Sequence, residues 1–312
     1  MTSKTPLLIG TRGSPLALAQ ARMALAALAE RDPALAEPGA AEIRVIKTTG
    51  DSIQDRPLTE IGGKGLFTKE LQEALYAREI DIAVHSMKDV ATVLPDGLTI
   101  GCMLPREDPR DVLLARGVTS LGGLPQGAVV GTASLRRAAQ LLALRPDLRV
   151  VTLRGNVQRR LARLESGEID ATMLAMAGLL RLQMGTAGGT PLEPEEMLPA
   201  PAQGAIGIEH RADDADVAER LAAISHAPTF ARVTTERAFL RVLDGSCRTP
   251  IAALATFEGE RLRLRGLVAK PDGSRVEQVE SWGAAGEAQE LGERAGADVR
   301  ARLGNHYPSG WL

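Results

Sequence analysis

Residues 128–144, AVVGTASLRRAAQLLAL, carry the pattern that decides the fold. Ala128, Val129 and Val130 form a short apolar run that reads as a strand. Gly131-Thr132-Ala133 interrupts it, and Ser134 opens a helix that runs to Leu144. The same strand-turn-helix logic recurs on both sides. Upstream, residues 7–10 read as a strand, after which Ser14 as N-cap and Pro15 at the first helical position start an Ala/Leu-rich helix that Asp32-Pro33 stops near Arg31. Residues 42–47 and 80–84 read as strands, with a helix over 66–78 between them, and His85-Ser86-Met87-Lys88-Asp89 falls just past the second strand. Downstream, strands over 149–153 and 169–174 flank a helix over 156–165. Strands alternating with helices imply mostly parallel sheets, whose ligands bind beyond the C-terminal ends of the strands.

After about Ala222 the character changes. A helix near 234–243 leads into Asp244-Gly245-Ser246-Cys247. Strands over 251–257, 261–269 and 276–281 follow, the last two joined by a turn at Pro271-Asp272-Gly273. A helix over 287–303 closes the domain. The expected organisation is an N-terminal α/β lobe (1–104 plus 205–222), a second α/β lobe (105–204) and a small C-terminal α+β domain (223–312). Residues 105–109 and 199–203 are the expected crossings between lobes. Residues 48–65, with Gly50, Pro57, Gly62, Gly63 and Gly65 and no periodicity, read as a long loop of the kind that closes over active sites.

The chain has 312 residues with 44% hydrophobic and 24% charged, enough for two or three domains with cores of their own. Lys+Arg is 37 against Asp+Glu 39, and a formal charge of -2 argues against a nucleic-acid binder, as does an aromatic content of 3%. No apolar segment is long enough for a membrane span, and none near the N-terminus reads as a secretory leader, so a cytoplasmic location is expected. Cys102 and Cys247 have no metal-ligand spacing. The sequence has neither a phosphate-binding loop nor a dinucleotide fingerprint, and no metal is expected.

Three strand-to-helix junctions carry cations together with small hydroxyl or amide side chains. The first has Arg12 and Ser14. The second has Thr132, Ser134, Arg136 and Arg137. The third has Arg154, Asn156, Arg159, Arg160 and Arg163. Free N–H groups and the helix dipole favour an anion at such a place, and arginine grips carboxylate through paired hydrogen bonds. Arg159 and Arg163, at i and i+4, read equally well as a solvated helix face. In a near-neutral chain, arginine at three junctions points to a ligand with several carboxylates or phosphates. Asp89 is an acid among these cations, which would keep it ionised, able to accept N–H hydrogen bonds and to offset a developing cation. It reads alternatively as half of a surface pair with Lys88. Cys247, beside Arg248, is either a nucleophile or a packed small residue. Cys102 reads as buried structure, and His85 as a core histidine.

Seven segments in order resemble one family, hydroxymethylbilane synthase (porphobilinogen deaminase). They are Arg12-Gly13-Ser14-Pro15-Leu16-Ala17, Gly62-Gly63-Lys64-Gly65-Leu66-Phe67, Val84-His85-Ser86-Met87-Lys88-Asp89, Arg106-Glu107-Asp108-Pro109-Arg110-Asp111, residues 131–137, Leu153-Arg154-Gly155-Asn156, and Pro201-Ala202-Gln203-Gly204. The resemblance spans roughly residues 12–250 and is looser beyond. It implies three domains, the first two like the lobes of periplasmic binding proteins. It implies a dipyrromethane cofactor that the enzyme makes from its own substrate and holds on Cys247 through a thioether. Four porphobilinogens would then be added with loss of ammonia, and linear hydroxymethylbilane released, in tetrapyrrole biosynthesis.

By the same resemblance Asp89, Arg12, Arg154 and Arg160 would be catalytic. Ser14, Lys88, Asp89, Thr132, Ser134, Arg136 and Arg137 would contact the cofactor. Arg12, Arg154, Arg160, Arg181, Gln203, Phe67 and Lys64 would bind substrate. A monomer that hands its product to the next enzyme is implied, with no membrane or nucleic-acid partner. The chain departs from the family pattern at Ser246, where many relatives have glycine, at Ala91, where proline is usual, and at Thr49-Gly50-Asp51, which lacks an arginine some relatives carry. A competing reading from the residues alone is a cytoplasmic polycarboxylate receptor without catalysis, which would have no use for Asp89 or a modifiable cysteine.

Overall fold

The computed structural model describes residues 6–52, 66–245, 249–304 and Tyr307. In chain order the elements are β1 (Leu7–Thr11), α1 (Pro15–Arg31), β2 (Ala41–Val45), α2 (Thr49–Ser52), α3 (Lys69–Tyr76), β3 (Ile82–Ser86) and β4 (Leu98–Met103). Next come β5 (Asp111–Ala115), β6 (Val129–Gly131), α4 (Leu135–Leu144), β7 (Arg149–Val151), α5 (Val157–Glu165), β8 (Ala171–Ala175), α6 (Met176–Arg181) and β9 (Thr190–Pro191). The chain ends with β10 (Ile206–Arg211), α7 (Ala215–Ala222), α8 (Ala227–Val242), β11 (Ile251–Glu258), β12 (Arg261–Ala269), β13 (Val276–Ala284) and α9 (Ala288–Leu303). Short 3₁₀ turns occupy Pro33–Ala36, Met87–Asp89 and Ala285–Glu287.

Two compact units divide the chain. The first takes the described parts of Met1–Gln54 and Gly63–Glu107 with Ala205–Phe230, and the second takes Asp108–Gly204 with the described parts of Ala231–Leu312. The first unit holds a five-stranded sheet ordered β2-β1-β3-β10-β4. β1 is parallel to β2 and β3, whereas β10 is antiparallel to both β3 and β4. The second unit repeats the plan as β7-β6-β8-β5-β9, with β6 parallel to β7 and β8 and with β5 antiparallel to β8 and β9. A separate antiparallel sheet, β11-β12-β13, backs onto α9. The class is therefore α/β with two mixed sheets, in which parallel and antiparallel pairings are equal in number, plus a small α+β part.

Local chemistry explains most boundaries. Ser14 accepts from the Ala17 N–H at 3.2 Å, capping α1 as its spacing demands. Asn156 does the same for α5, through Arg159 N at 2.9 Å. The helix expected over 66–78 begins only at Lys69, because Leu66 to Thr68 form a turn whose Leu66 carbonyl accepts from Gly50 N at 2.9 Å. His85 lies inside β3 rather than beyond it, and α8 begins at Ala227, well before residue 234. There His226 Nδ1 accepts the Thr229 N–H at 3.3 Å and extends the helix upstream.

Each unit buries its own apolar residues. Ile9, Ile82, Cys102, Ile206 and Ile208 anchor the first, and burial pushes the Cys102 thiol up to about 12, so it stays protonated. His85 is buried as expected, with Nε2 2.9 Å from Glu209 Oε2, whose other oxygen accepts from Gln72 at 2.9 Å. Among the described residues no helix is long and apolar enough to cross a membrane.

In the C-terminal part, α9 lies against α8 through glycines. A Cβ on Gly292 would sit 2.2 Å from the Thr235 carbonyl oxygen, and one on Gly296 would sit 2.8 Å from Val242 Cβ. Backbone cannot yield as a flexible side chain does, so Gly292→Ala is expected to lower unfolding free energy by about 1–3 kcal/mol, the usual cost of overpacking, read by denaturant titration. An unchanged midpoint would mean that α9 can move off α8.

Candidate active site

The parallel strands deliver their C-terminal ends to one edge of each sheet. In the first unit, β1 runs into Arg12 and Ser14, and its neighbour β3 runs into Lys88 and Asp89 in the turn Met87–Asp89. That turn is fixed from both sides: Met87 N donates to Ala205 O at 3.0 Å, and Ser86 exchanges hydrogen bonds with Gln20 of α1 at 2.8 and 3.1 Å. Asp89 is half-buried, and its carboxylate makes no hydrogen bond or ion pair among the described residues. The surface pair with Lys88 is not formed. The Arg12 guanidinium lies over the Phe67 ring, 4.2 Å from its centre, which brings these two expected site residues together. Phe67 can approach because Gly50 has no side chain, and a Cβ there would come within 2.3 Å of the ring.

In the second unit the cations collect beyond β6, β7 and β8. Thr132 is buried, its Oγ1 accepting from Ser134 N at 3.1 Å, and Ser134 Oγ accepts from Arg137 N at 3.4 Å. Each of these hydroxyls keeps its own proton free to donate elsewhere. Arg136 and Arg137 are 4% and 6% exposed, and both grip one carboxylate, Asp111, at 2.7 and 2.8 Å. Their remaining bonds go to the Leu198 carbonyl at 2.8 Å and the Met173 carbonyl at 2.7 Å. Burial alone would raise the Asp111 carboxyl, but the charges of Arg136 and Arg137 outweigh it and hold it far below the usual aspartate range.

Beyond that trio the charges do not balance. Arg160, with Nε donating to the Gly155 carbonyl at 2.9 Å, is pulled down to about 10 by burial and by the like charges of Arg137 and Arg154. Buried N–H groups of Arg136 (Nε), Arg137 (Nε) and Arg154 (Nη1) have no acceptor among the described residues. Three neighbouring guanidiniums, one only half neutralised by a shared aspartate, form a site that an anion with more than one carboxylate would complete. Arg159 and Arg163 point elsewhere: both are exposed, and Arg163 pairs with Glu168 at 2.9 Å.

Two further expected residues serve the same edge. Gln203 is buried and donates to Asp111 Oδ1 at 2.8 Å, and Arg181, at the end of α6, donates to the Gly204 carbonyl at 2.6 Å. Lys64 and Cys247 lie outside the described residues. The chain leads towards residues 246–248 from Asp244, in a left-handed turn at φ 51°, which Arg300 holds through the Val242 carbonyl at 2.6 Å and Asp244 Oδ2 at 3.0 Å. The Tyr307 hydroxyl adds a bond to the Leu243 carbonyl at 2.6 Å.

Sequence reasoning missed two carboxylates. Asp111 opens an otherwise apolar strand, Val112-Leu113-Leu114, and an acid at the head of a buried run needs a cation. Glu236 lies three and four residues before Phe239 and Leu240, on an apolar helical stripe where a charge is out of place. It is fully buried.

These features define a class: an α/β protein that gathers arginines at the C-terminal ends of parallel strands and keeps an acid at the matching edge of a second sheet. Residues 7–219 match the description "Porphobilinogen deaminase, dipyromethane cofactor binding domain", and residues 230–301 match "Porphobilinogen deaminase, C-terminal domain". A porphobilinogen deaminase of Paracoccus denitrificans is 56% identical over 303 residues, covering 96% of this chain and 95% of that protein. A chloroplastic porphobilinogen deaminase of Oryza sativa subsp. japonica is 52% identical over 299 residues, covering 95% and 84%. The chain belongs to the porphobilinogen deaminase family.

Asp111→Asn is expected to cost about 3–5 kcal/mol of unfolding free energy, because it leaves two buried guanidiniums with a neutral partner. The folded-state value of Asp111 is depressed, so its contribution is present above the unfolded-state value near ~3.9 and is lost as pH falls below that. Denaturant midpoints measured across acid pH should therefore converge for wild type and variant. Arg160→Gln is expected to leave unfolding free energy within about 0.5 kcal/mol, since a repelling charge goes. The same variant should lose ten- to a hundredfold in kcat/KM, the worth of one charged hydrogen bond at about 1.5–3 kcal/mol.

Proposed function

We propose that this chain is a hydroxymethylbilane synthase: it condenses four porphobilinogen molecules in turn, with loss of ammonia, and releases a linear tetrapyrrole. The observation that carries this reading is the uncompensated cluster of Arg137, Arg154 and Arg160. Each pyrrole of such a chain bears an acetate and a propionate, so a growing oligopyrrole is a polycarboxylate. Orphaned buried N–H groups on Arg136, Arg137 and Arg154 suit a dipyrromethane cofactor, whose own carboxylates are the missing acceptors. The residues that would hold it are Cys247 through a thioether, with Ser14, Lys88, Thr132, Ser134, Arg136 and Arg137 around its side chains. When bound, it supplies the pyrrole carbon to which the first substrate is joined.

The chain's own residues do the rest. Arg12, Arg154, Arg160 and Arg181 bind substrate carboxylates, Phe67 keeps Arg12 in place, and Gln203 fixes Asp111. Lys64 would join them in binding substrate. As ammonia leaves the aminomethyl carbon of porphobilinogen, positive charge spreads over the pyrrole ring. Asp89 accepts the pyrrole N–H and offsets that charge. An acid that no cation neutralises among the described residues is suited to the task, whereas one already paired would have little field left to offer. We assign three domains, 1–104 plus 205–222, 105–204 and 223–312, and a cytoplasmic monomer that passes its product to the next enzyme.

Purified chain is expected to show an intact mass in excess of its sequence mass by two pyrrole units, with the excess absent in Cys247→Ala. An unmodified, inactive wild type would overturn the proposal. Asp89→Asn is expected to keep the adduct and lose kcat by on the order of a hundredfold or more, measured as ammonia released per chain. A polycarboxylate receptor without catalysis would instead bind porphobilinogen reversibly and release no ammonia.

A further inference from the structure

Glu236 is a second buried carboxylate, and it accepts backbone N–H groups from two separate segments. It sits on α8 with no exposed surface, and both of its oxygens accept backbone N–H groups: Oε2 from Ala202 at 2.6 Å and Oε1 from Ala255, on β11, at 2.7 Å. Ala202 is itself unusual. It is 1% exposed and held at φ +62°, the left-handed region where a side chain is disfavoured. The turn around it is closed by Gln203 N donating to the Ala200 carbonyl at 2.9 Å and is tied to β11 by Ala253 N donating to the Pro199 carbonyl at 3.1 Å.

What this turn presents is the support for the arginine edge. Gln203, the next residue, reaches Asp111 at 2.8 Å and the Pro109 carbonyl at 2.7 Å, and the Gly204 carbonyl takes the Arg181 guanidinium at 2.6 Å. Asp111 in turn holds Arg136 and Arg137. We infer that Glu236 is a positioning residue for the proposed reaction: it holds Ala202 in its left-handed conformation, and through Gln203 and Asp111 it sets where Arg136 and Arg137 point. Only a carboxylate can accept at both oxygens here. A glutamine would turn an NH₂ group towards one of the two N–H donors. This role rests on the proposed activity, because the arginines are read as ligands of its pyrrole carboxylates.

The test uses the full chain and compares wild type, Glu236→Gln, Ala202→Gly and the double variant, with Gln203→Met alone and combined with Glu236→Gln. Each is read for kcat/KM well below its unfolding midpoint and for the fraction of chains carrying the covalent adduct by intact mass. Glu236→Gln is expected to lose at least tenfold in kcat/KM and to lower the adduct fraction. Ala202→Gly alone should stay near wild type. Glycine accepts positive φ without help, so the Glu236→Gln/Ala202→Gly double variant should recover most of both losses. Glu236→Gln combined with Gln203→Met should be no worse than the poorer single variant, because both break one chain of contacts. The inference is overturned if Glu236→Gln stays within twofold of wild type, if glycine at position 202 restores nothing, or if the Glu236 and Gln203 losses multiply. Should Glu236→Gln not fold, Glu236→Asp takes its place with the same outcomes on either side. A wild type with neither adduct nor turnover would instead overturn the activity itself, whereas an active wild type without rescue removes only the role of Glu236.

Discussion

The arginine edge depends on Asp111 buried between Arg136 and Arg137. Moving three ionised groups out of water is costly unless every charge is met, and one carboxylate cannot neutralise two guanidiniums. The fold accepts the arrangement because the geometry is close to ideal: short charge-assisted bonds, carbonyls of Leu198 and Met173 on the free arms, and Gln203 on the second lone pair of Asp111. The residual positive charge remains at the end of β6, where the protein supplies Arg154 and Arg160 but, among the described residues, no further acid that pairs with them. Burial and the like charges of Arg137 and Arg154 are what depress the Arg160 pKa there.

The two five-stranded sheets share one plan, yet their reversed strands are put to different use. In each, three parallel neighbours are followed by one reversed strand, β10 in the first and β5 in the second. In the second unit the reversed strand begins with Asp111, so it delivers the counter-ion to the arginines. In the first the reversed strand carries Glu209, His210 and Arg211, all buried, and Glu209 and Arg211 lock the sheet from within by bonding to Gln72, His85, Asp81 and Asp214. The acid proposed for the chemistry is Asp89, on a 3₁₀ turn that follows a strand and is pinned by Ala205 and Gln20. Its half-burial without a partner among the described residues is a property of that turn rather than of the residue.

Much of this was legible in the sequence, and the limits have physical reasons. The Ser14 cap, the cation-bearing junctions and the bounds of β12 could be read from local pattern, because capping, periodicity and turn chemistry act over a few residues. β10 could not. Its segment Ile206-Gly207-Ile208-Glu209-His210-Arg211 looks half polar, and burial of all six residues makes sense only once distant segments supply partners. Asp111 failed for the same reason: Arg136 and Arg137 lie 25 and 26 residues away in sequence. Arginine at a helix start announces itself as charge, whereas the acid that orients it looks like an ordinary strand end. The Glu236 contacts lie further still out of reach, since the Ala202 and Ala255 N–H groups are ones that any residue could offer.

The choice of arginine over lysine at the edge follows from the same constraint. Arg137 must bond the Met173 carbonyl and Asp111 with separate nitrogens and still present an N–H to whatever lies beyond β6. A planar fork of donors does this without moving. A lysine ammonium could reach the same atoms only one rotamer at a time, and burial would push it towards its neutral form. A site that must hold successively longer polycarboxylates needs donors that stay charged and keep their directions through every round. Rigidity of that kind cannot come from the arginines' own long side chains. It has to come from the carbonyls and buried carboxylates behind them, which is why Asp111 and, in the role inferred for it, Glu236 carry as much of the design as the cations they support.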